Sequence, residues 1–424
     1  MCRRRKGIFL IIVYGAVAVL IILTASLALK VSSQKRLLDI TKCSLQAFYL
    51  AEAGLDRGLV WLRDQPSYPS GTSPITPSEL QNVELGEGSF SVTIDPYDNN
   101  PSVYRKRYRI ISSGICSGIQ QTLSLDVAVD TFARYAYFTD DEHFWIGWWK
   151  VPVWFKGGDH IQGPLHTNSH LHISEDPIFD GMVKTVDNYI VYLHGGPPLD
   201  NPQFNGGIQL GAEPIYMPSK ATNLKNAALS GGLYLSGDTT IVLKDDGTIE
   251  VTNDARGWKN QVLPLPSNGA IFVSEGDVYV EGTLKGRLTI GTDKDLIIKN
   301  NILYADNPEE NPSSQDMLGL IAEGDVVVSK SAPYNLEIDA SIMALGDSFL
   351  VEEWWKGPPK GTLKVVGGII QKERGPVGTF NGATGEKLSG YSKNYVYDER
   401  LKNQSPPYYP TTGDYIVVLW RKSS

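Results

Sequence analysis

Residues Ile8–Leu29, IFLIIVYGAVAVLIILTASLAL, are 22 consecutive residues without a charge. At ~1.5 Å rise per residue a helix of that length spans about 33 Å, enough for a hydrocarbon core of ~30 Å. The run therefore predicts a single membrane span. Arg3, Arg4, Arg5 and Lys6 precede it, and basic residues on a short tail favour retention in the cytoplasm, with the remainder exported. Lys30, Lys35, Arg36 and Lys42 flank the other end and oppose that bias. A secretory signal peptide starts in the same way, but its apolar region is usually only ~7–15 residues long.

The apolar run continues into an amphipathic segment. Leu38, Leu45, Phe48, Leu55, Leu59 and Leu62 recur at helical spacings, while Lys35, Arg36, Asp39, Lys42, Asp56 and Arg57 occupy other faces. One helix is expected over 8–63, with its membrane part at 8–29. Two motifs sharpen this. Gly7 ends a basic leader (1–7) directly before the apolar Ile8-Phe9-Leu10, and Gln46-Ala47-Phe48-Tyr49-Leu50-Ala51-Glu52-Ala53-Gly54-Leu55 places small residues on one side of the helix. Small residues let another helix approach closely. The first motif resembles a prepilin peptidase site, and the second resembles the A-F-Y-x-A-E-A-G segment of PilX-like type IV minor pilins and pseudopilins.

The resemblance implies processing between Gly7 and Ile8. It also implies a packing or assembly role for Ala47, Phe48, Ala51, Glu52 and Gly54, and other pilin-like subunits or pilus or secretion assembly proteins as partners. Major pilins carry Glu at the fifth mature position, where this chain has Ile12. A carboxylate held in lipid is costly and is kept for a purpose, so its absence points to a minor or accessory subunit. Removing the leader's four positive charges would shift the formal charge from −8 to −12.

Beyond the helix, 64–78 holds four Pro and several Ser and reads as a linker. A small antiparallel sheet is expected over 79–138, because Ser89–Asp95, Tyr108–Ser113 and Thr122–Val129 alternate apolar and polar residues. From about Thr139 the texture changes. Gly-Asp pairs punctuate short apolar runs, and FVSEGDVYV at 272–280 returns as LIAEGDVVV at 320–328, an offset of 48. A repeat that cannot bury its faces alone buries them by stacking. The fold class is therefore mainly β with a long N-terminal transmembrane α-helix: a small α+β region, then a parallel β-helix or solenoid over 139–390, with two rungs of about 24 residues per repeat. A β-sandwich is the alternative. Residues 391–424, rich in Tyr and Pro, read as a C-terminal wrap ending in an edge strand at Asp414–Arg421. Together with Gly163-Pro164-Leu165-His166-Thr167-Asn168 and the Tyr-Asp-Glu-Arg-Leu segment near the end, this body resembles an uncharacterised bacterial β-rich family found with type IV pilus genes.

The chemistry-bearing residues are few. A net charge of −8 recruits the chain neither to nucleic acid nor to anionic lipid. No cofactor is expected. The metal candidates are His160, His166, His170 and His172, yet no His-Glu-x-x-His or paired-Cys spacing accompanies them. The plainer reading takes Ile161, Leu165, Leu171 and Ile173 inward and leaves His170 and His172 on a solvent face, so no metal site is expected. There is no Gly-x-Ser-x-Gly elbow, and Gly195-Gly196-Pro197-Pro198 lacks the N–H donors of a phosphate loop. Asp277, Asp325 and Asp347 sit in Gly-Asp turns, where a turn carboxylate ordinarily satisfies nearby N–H groups. Cys43 and Cys116 would both be exported to a compartment that permits a disulfide.

Trp145, Trp148, Trp149, Trp154 and Phe155 form one aromatic cluster and Trp354-Trp355 a second. They are expected to cap an open solenoid end, or else to bind a surface glycan or protein ligand. The function expected is non-enzymatic: a single-pass membrane protein with a cytoplasmic N terminus, its bulk periplasmic or extracellular and incorporated in a filament. A membrane-tethered β-helical carbohydrate-active enzyme, or a scaffold or adhesin unrelated to filaments, are the alternatives.

Overall fold

The structure, a computed structural model, describes residues 4–69, 71–98 and 105–423. Residues 1–3 of the leader, Cys2 among them, lie outside the described residues. The chain forms two compact units, and the second interrupts the first: one comprises residues 1–99, 106–128 and 415–424, the other 100–105 and 129–414.

The first unit is a helix on a sheet. The helix runs Arg4–Arg63 without a break, and among the described residues it is the one helix long and apolar enough to cross a membrane, with none of its apolar window buried. Its far half packs on a five-stranded sheet whose described pairs include Val83–Leu85 with Gly88–Asp98, and Gly88–Asp98 with Arg107–Cys116. Arg107–Cys116 in turn pairs with Ile119–Thr131, all antiparallel. The strand Arg107–Cys116 alternates strictly, so that Tyr108, Ile110, Ser112, Gly114 and Cys116 are its buried residues. Leu50, Leu55, Leu62, Phe90, Val92, Ile94 and Leu123 are the buried core of this unit, and burying each such side chain contributes ~1.5–3 kcal/mol. The last strand, Thr411–Ser423, takes the place beside Ile119–Thr131 in this sheet rather than an edge of the solenoid. The second unit is thus inserted between two neighbouring strands of the first.

That second unit is a parallel ladder, the pairing of a solenoid-like stack and not the antiparallel pairing of a sandwich. One unbroken file of partners runs Leu235, Val273, Thr292, Ala322, Ala344, Gln371, Thr139, Thr167, Thr185, every step parallel. A second file runs Ile241, Val280, Ile298, Val328, Val351. The chain order along the first file is not the spatial order. Pro359–Glu373 pairs on one side with Leu336–Ala344 and on the other with Tyr137–Asp141, so the earliest rungs stack onto the latest. The stacked apolar residues, including Ile271, Ile290, Leu320, Ile342 and Ile369, are buried.

Two sequence expectations change here. The 48-residue repeat does not divide into equal rungs: Val278 to Leu296 spans 18 residues and Leu296 to Val326 spans 30. The longer rung carries the turn-rich stretch 305–316, anchored where Asp316 accepts hydrogen bonds from the N–H groups of Gly286 (2.6 Å) and Asp306 (2.9 Å). A helix, Thr222–Gly231, also appears where none was expected, with Leu224, Ala227 and Ala228 buried.

The Gly-Asp turns form a second ladder alongside the strands. The Asp238 carboxylate accepts from the backbone N–H of Asp277 (3.0 Å), and Asp277 accepts from Asp295 (3.2 Å). Asp295 accepts from Asp325 (2.8 Å) and Asp325 from Ser348 (2.7 Å). Each aspartate thus satisfies a donor on the next rung. Desolvation, and the carboxylates of Asp347 and Asp295 nearby, push Asp325 up to about 6.

Candidate functional site: an imidazole cluster at the base of an aromatic hairpin

The strand Tyr137–Asp141 leaves the ladder into a two-stranded hairpin, His143–Ile146 with Trp149–Pro152. Its base is clamped by Arg374, a fully buried guanidinium that donates to the Glu142 carboxylate (2.7 Å) and to the carbonyls of Val153 (3.0 Å) and Trp154 (3.2 Å). The same guanidinium lies 3.5 Å above the centre of the Phe155 ring. Glu142 is also bonded by the Thr139 hydroxyl. Removing two charges from water is costly unless they are paired and hydrogen-bonded, and both conditions are met here.

The clamp sets His143, at the start of the hairpin, against His170 and His172 of the next turn. Ring centroids are 4.7 Å apart for His143–His172, 4.9 Å for His170–His172 and 5.7 Å for His143–His170. One ring nitrogen from each of the three lies within 4.8 Å of the others. The Nδ1–H of His143 donates to Asp141 (2.7 Å) and that of His170 to Asp187 (2.7 Å). In a neutral imidazole this leaves Nε2 as the free lone pair on each. Tyr189 stacks on His170 at 5.3 Å, and Trp154 packs edge-on against His172 at 5.3 Å. His172 is 3% exposed, and its Nδ1 has no hydrogen-bond partner among the described residues. Burial first, and then the adjacent imidazoles of His143 and His170, push His172 down to about 3. Burial alone would raise Asp141, yet hydrogen bonds from Lys150 and His143 hold it below the usual carboxylate range.

This arrangement corrects the grouping expected from sequence. Of the four expected candidates only His170 and His172 meet. His160 instead pairs with Asp180 (2.6 Å), and His166 bonds Asn168 (2.9 Å) while stacking on Phe138. The solvent-facing position expected for His172 is also wrong, because the hairpin base and Trp154 cover that face of the short strand His172–Ile173. The third imidazole, His143, lies in the Trp-rich segment. Its only sequence signal is Asp141 two residues earlier, on the same side of an extended chain.

The aromatic cluster divides. Phe155 is core, but Trp148 is 94% and Trp149 77% exposed at the hairpin tip, so these two do not cap the stack. The hairpin's inner side, with Trp354, Phe380 and Tyr391, lines a cleft of about 500 Å³ that also bears Lys156, Lys387 and Lys393.

The helix residues fall into two sets. Ala47, Ala51 and Gly54 are buried against the protein's own sheet: a Cβ on Gly54 would sit 2.0 Å from Ser112 Oγ, and one on Gly114 would sit 2.1 Å from the Ala47 carbonyl. The small-residue face is therefore occupied by the sheet and is not open to a second helix. Phe48 and Glu52 stay half-exposed, with Phe48 edge-on to Trp420 (6.2 Å). The backbone of Gly7 and Ile8 is helical. Cys43 and Cys116 stand as free thiols without a disulfide between them; Cys116 donates to the Gln46 side-chain oxygen (3.6 Å), and the hydrogen bond with Cys43, followed by burial, raises it.

The model of a family described as a domain of unknown function (DUF4900) matches residues 104–187, a stretch that carries all three clustered imidazoles. No curated protein matches the chain. Among solved structures, the crystal structure of the competence-associated pilin ComZ from Thermus thermophilus is similar at a TM-score of 0.35 and 13% identity, over 90% of this chain and 97% of that one.

Proposed function

We propose that this protein is a membrane-anchored, non-enzymatic minor pilin or pseudopilin-like component of a type IV pilus or type II secretion-like filament. It displays its inserted parallel-β unit outside the membrane for assembly, adhesion or partner binding. The observation that carries this reading is the Arg4–Arg63 helix. Residues 9–29 expose apolar side chains on every face, including Phe9, Ile12, Leu20, Ile22 and Leu27, while Ala47, Leu50, Ala51 and Leu55 are buried against the antiparallel sheet. An isolated soluble helix does not present such a surface to water, and a bilayer or a bundle of like helices covers it. The motif at Ala47–Gly54 and the Gly7–Ile8 junction support the same reading. Because the sheet occupies Ala47, Ala51 and Gly54, the positions of this motif left to contact a partner subunit include Phe48 and Glu52, beside the exposed Tyr49.

The test is co-expression with a prepilin peptidase and a pilus assembly system. Mature protein is expected to begin at Ile8 and to appear in sheared filaments, with incorporation lowered by Phe48→Ala or Glu52→Ala. An intact Met1 on protein absent from filaments would leave only a membrane-anchor role.

A further inference from the structure

We propose that His143, His170 and His172 form a three-imidazole site for a divalent transition-metal ion of the zinc class, with a fourth position open to water or a partner's ligand. Imidazole nitrogens suit Zn, Cu, Fe and Ni, whereas Ca and Mg demand oxygen donors. Three features of the cluster point to a metal. The three nitrogens already converge within 4.8 Å. In a tetrahedral site with ~2.0–2.1 Å bonds they would stand about 3.3 Å apart, a difference that small rotations of the half-buried His143 and His170 side chains cover. Asp141 and Asp187 each hold one Nδ1–H, which is the carboxylate–histidine arrangement that orients a ligating ring and raises its basicity. Finally, His172 is enclosed with a ring nitrogen that has no hydrogen-bond partner among the described residues, and a buried polar atom left unsatisfied is costly unless something binds it.

Charge permits the ion. Arg374, the cation at the hairpin base, is already committed to Glu142 and two carbonyls, and Lys150 is paired with Asp141 at 2.5 Å. The bound ion would tie the first strand of the hairpin to the His170–Ile173 segment and so hold the exposed Trp148 and Trp149 in a defined place. The site is independent of the filament reading, because its residues all lie in the inserted unit.

The experiment uses the full untagged chain in detergent micelles, stripped with a chelator and titrated with Co2+. One equivalent of cobalt is expected, with the visible absorption of a tetrahedral site, displaced by Zn2+. His143→Ala and His170→Ala are each expected to weaken binding more than about tenfold, and Asp187→Asn, acting through the ring it orients, by about 10–100-fold. His160→Ala should change nothing. A stripped wild-type protein that shows no stoichiometric cobalt spectrum would overturn the site, as would binding undiminished in the His143→Ala/His170→Ala double variant. If a histidine variant loses its circular dichroism signature, Asp187→Asn decides alone, with unchanged affinity counting against the proposal.

Discussion

The helix–sheet unit and the inserted parallel unit bury their backbones by different means. In the first, a long helix lies on antiparallel strands, and the contact works because the facing residues are small: Ala47, Ala51 and Gly54 on the helix, Ser112 and Gly114 on the strand. Few polar side chains enter that interface. In the second, stacked parallel strands are completed by polar groups: the partly exposed aspartate file at the turns from Asp238 to Asp325, the buried Arg374–Glu142 pair, and buried Gln371, whose side chain accepts from the N–H groups of Phe349 and Gly375 and donates to the Tyr137 hydroxyl. The lesson is that the helix meets its sheet by steric fit, whereas the strands of the parallel unit that are distant in sequence are also tied by satisfied polar networks.

Three substitutions break or sharpen that contrast. Arg374→Met should be the most damaging. It leaves Glu142 buried with the Thr139 hydroxyl as its one remaining side-chain partner among the described residues, and breaking a buried pair by removing one member costs about 3–5 kcal/mol. Hydrogen exchange should accelerate in peptides covering 139–155 and 368–375. Adding Glu142→Gln should recover part of the loss by removing the orphaned charge, and a double variant no better than the single one would contradict the ion-pair account.

Gly114→Ala comes next. The new methyl would meet the Ala47 carbonyl at 2.1 Å and Ala51 N at 2.6 Å, backbone atoms that cannot turn aside, and overpacking of this kind costs about 1–3 kcal/mol. Exchange should accelerate across 88–128 and 44–62 while the parallel strands are unaffected. The smallest effect is expected at Asp339. Desolvation raises its carboxyl from 3.8 to about 7, one oxygen accepts from Tyr304 N (2.9 Å), and the other has no partner among the described residues. An acid whose folded value is raised binds its proton more tightly folded than unfolded, so its stabilising contribution is complete below 3.8 and disappears as pH rises through about 7. Asp339→Asn should therefore melt higher than wild type above pH 7, by on the order of 1 kcal/mol, with the gap closing on acidification. An advantage that grows as pH falls would refute the assignment.

How much of this could be read in the chain follows from the range of each signal. The C-terminal end of the helix at Arg63, the three strands of the small sheet and the repetitive β character of the body are local periodicities, and they are legible, whereas the helix starts at Arg4 rather than at residue 8. The apolar phase of Ile161, Leu165, Leu171 and Ile173 is legible too, since all four are buried. The candidate site was only half legible. His170 and His172 stood out by proximity, whereas His143 joins them through a hairpin whose base is fixed by Arg374, more than two hundred residues later.

By itself the sequence determined a long apolar helix, a small alternating sheet and a turn-punctuated β body, because spacing of 3.6 or 2 residues fixes which side of an element is apolar. Only the tertiary structure decided that the final strand Thr411–Ser423 belongs to the small sheet and that the rung at Tyr137–Asp141 stacks on Pro359–Glu373. It also decided that one rung takes 18 residues and the next 30, and that three imidazoles converge. Parallel pairing imposes no fixed distance along the chain between partners, so these choices are made by the stacking of whole rungs and leave no local mark.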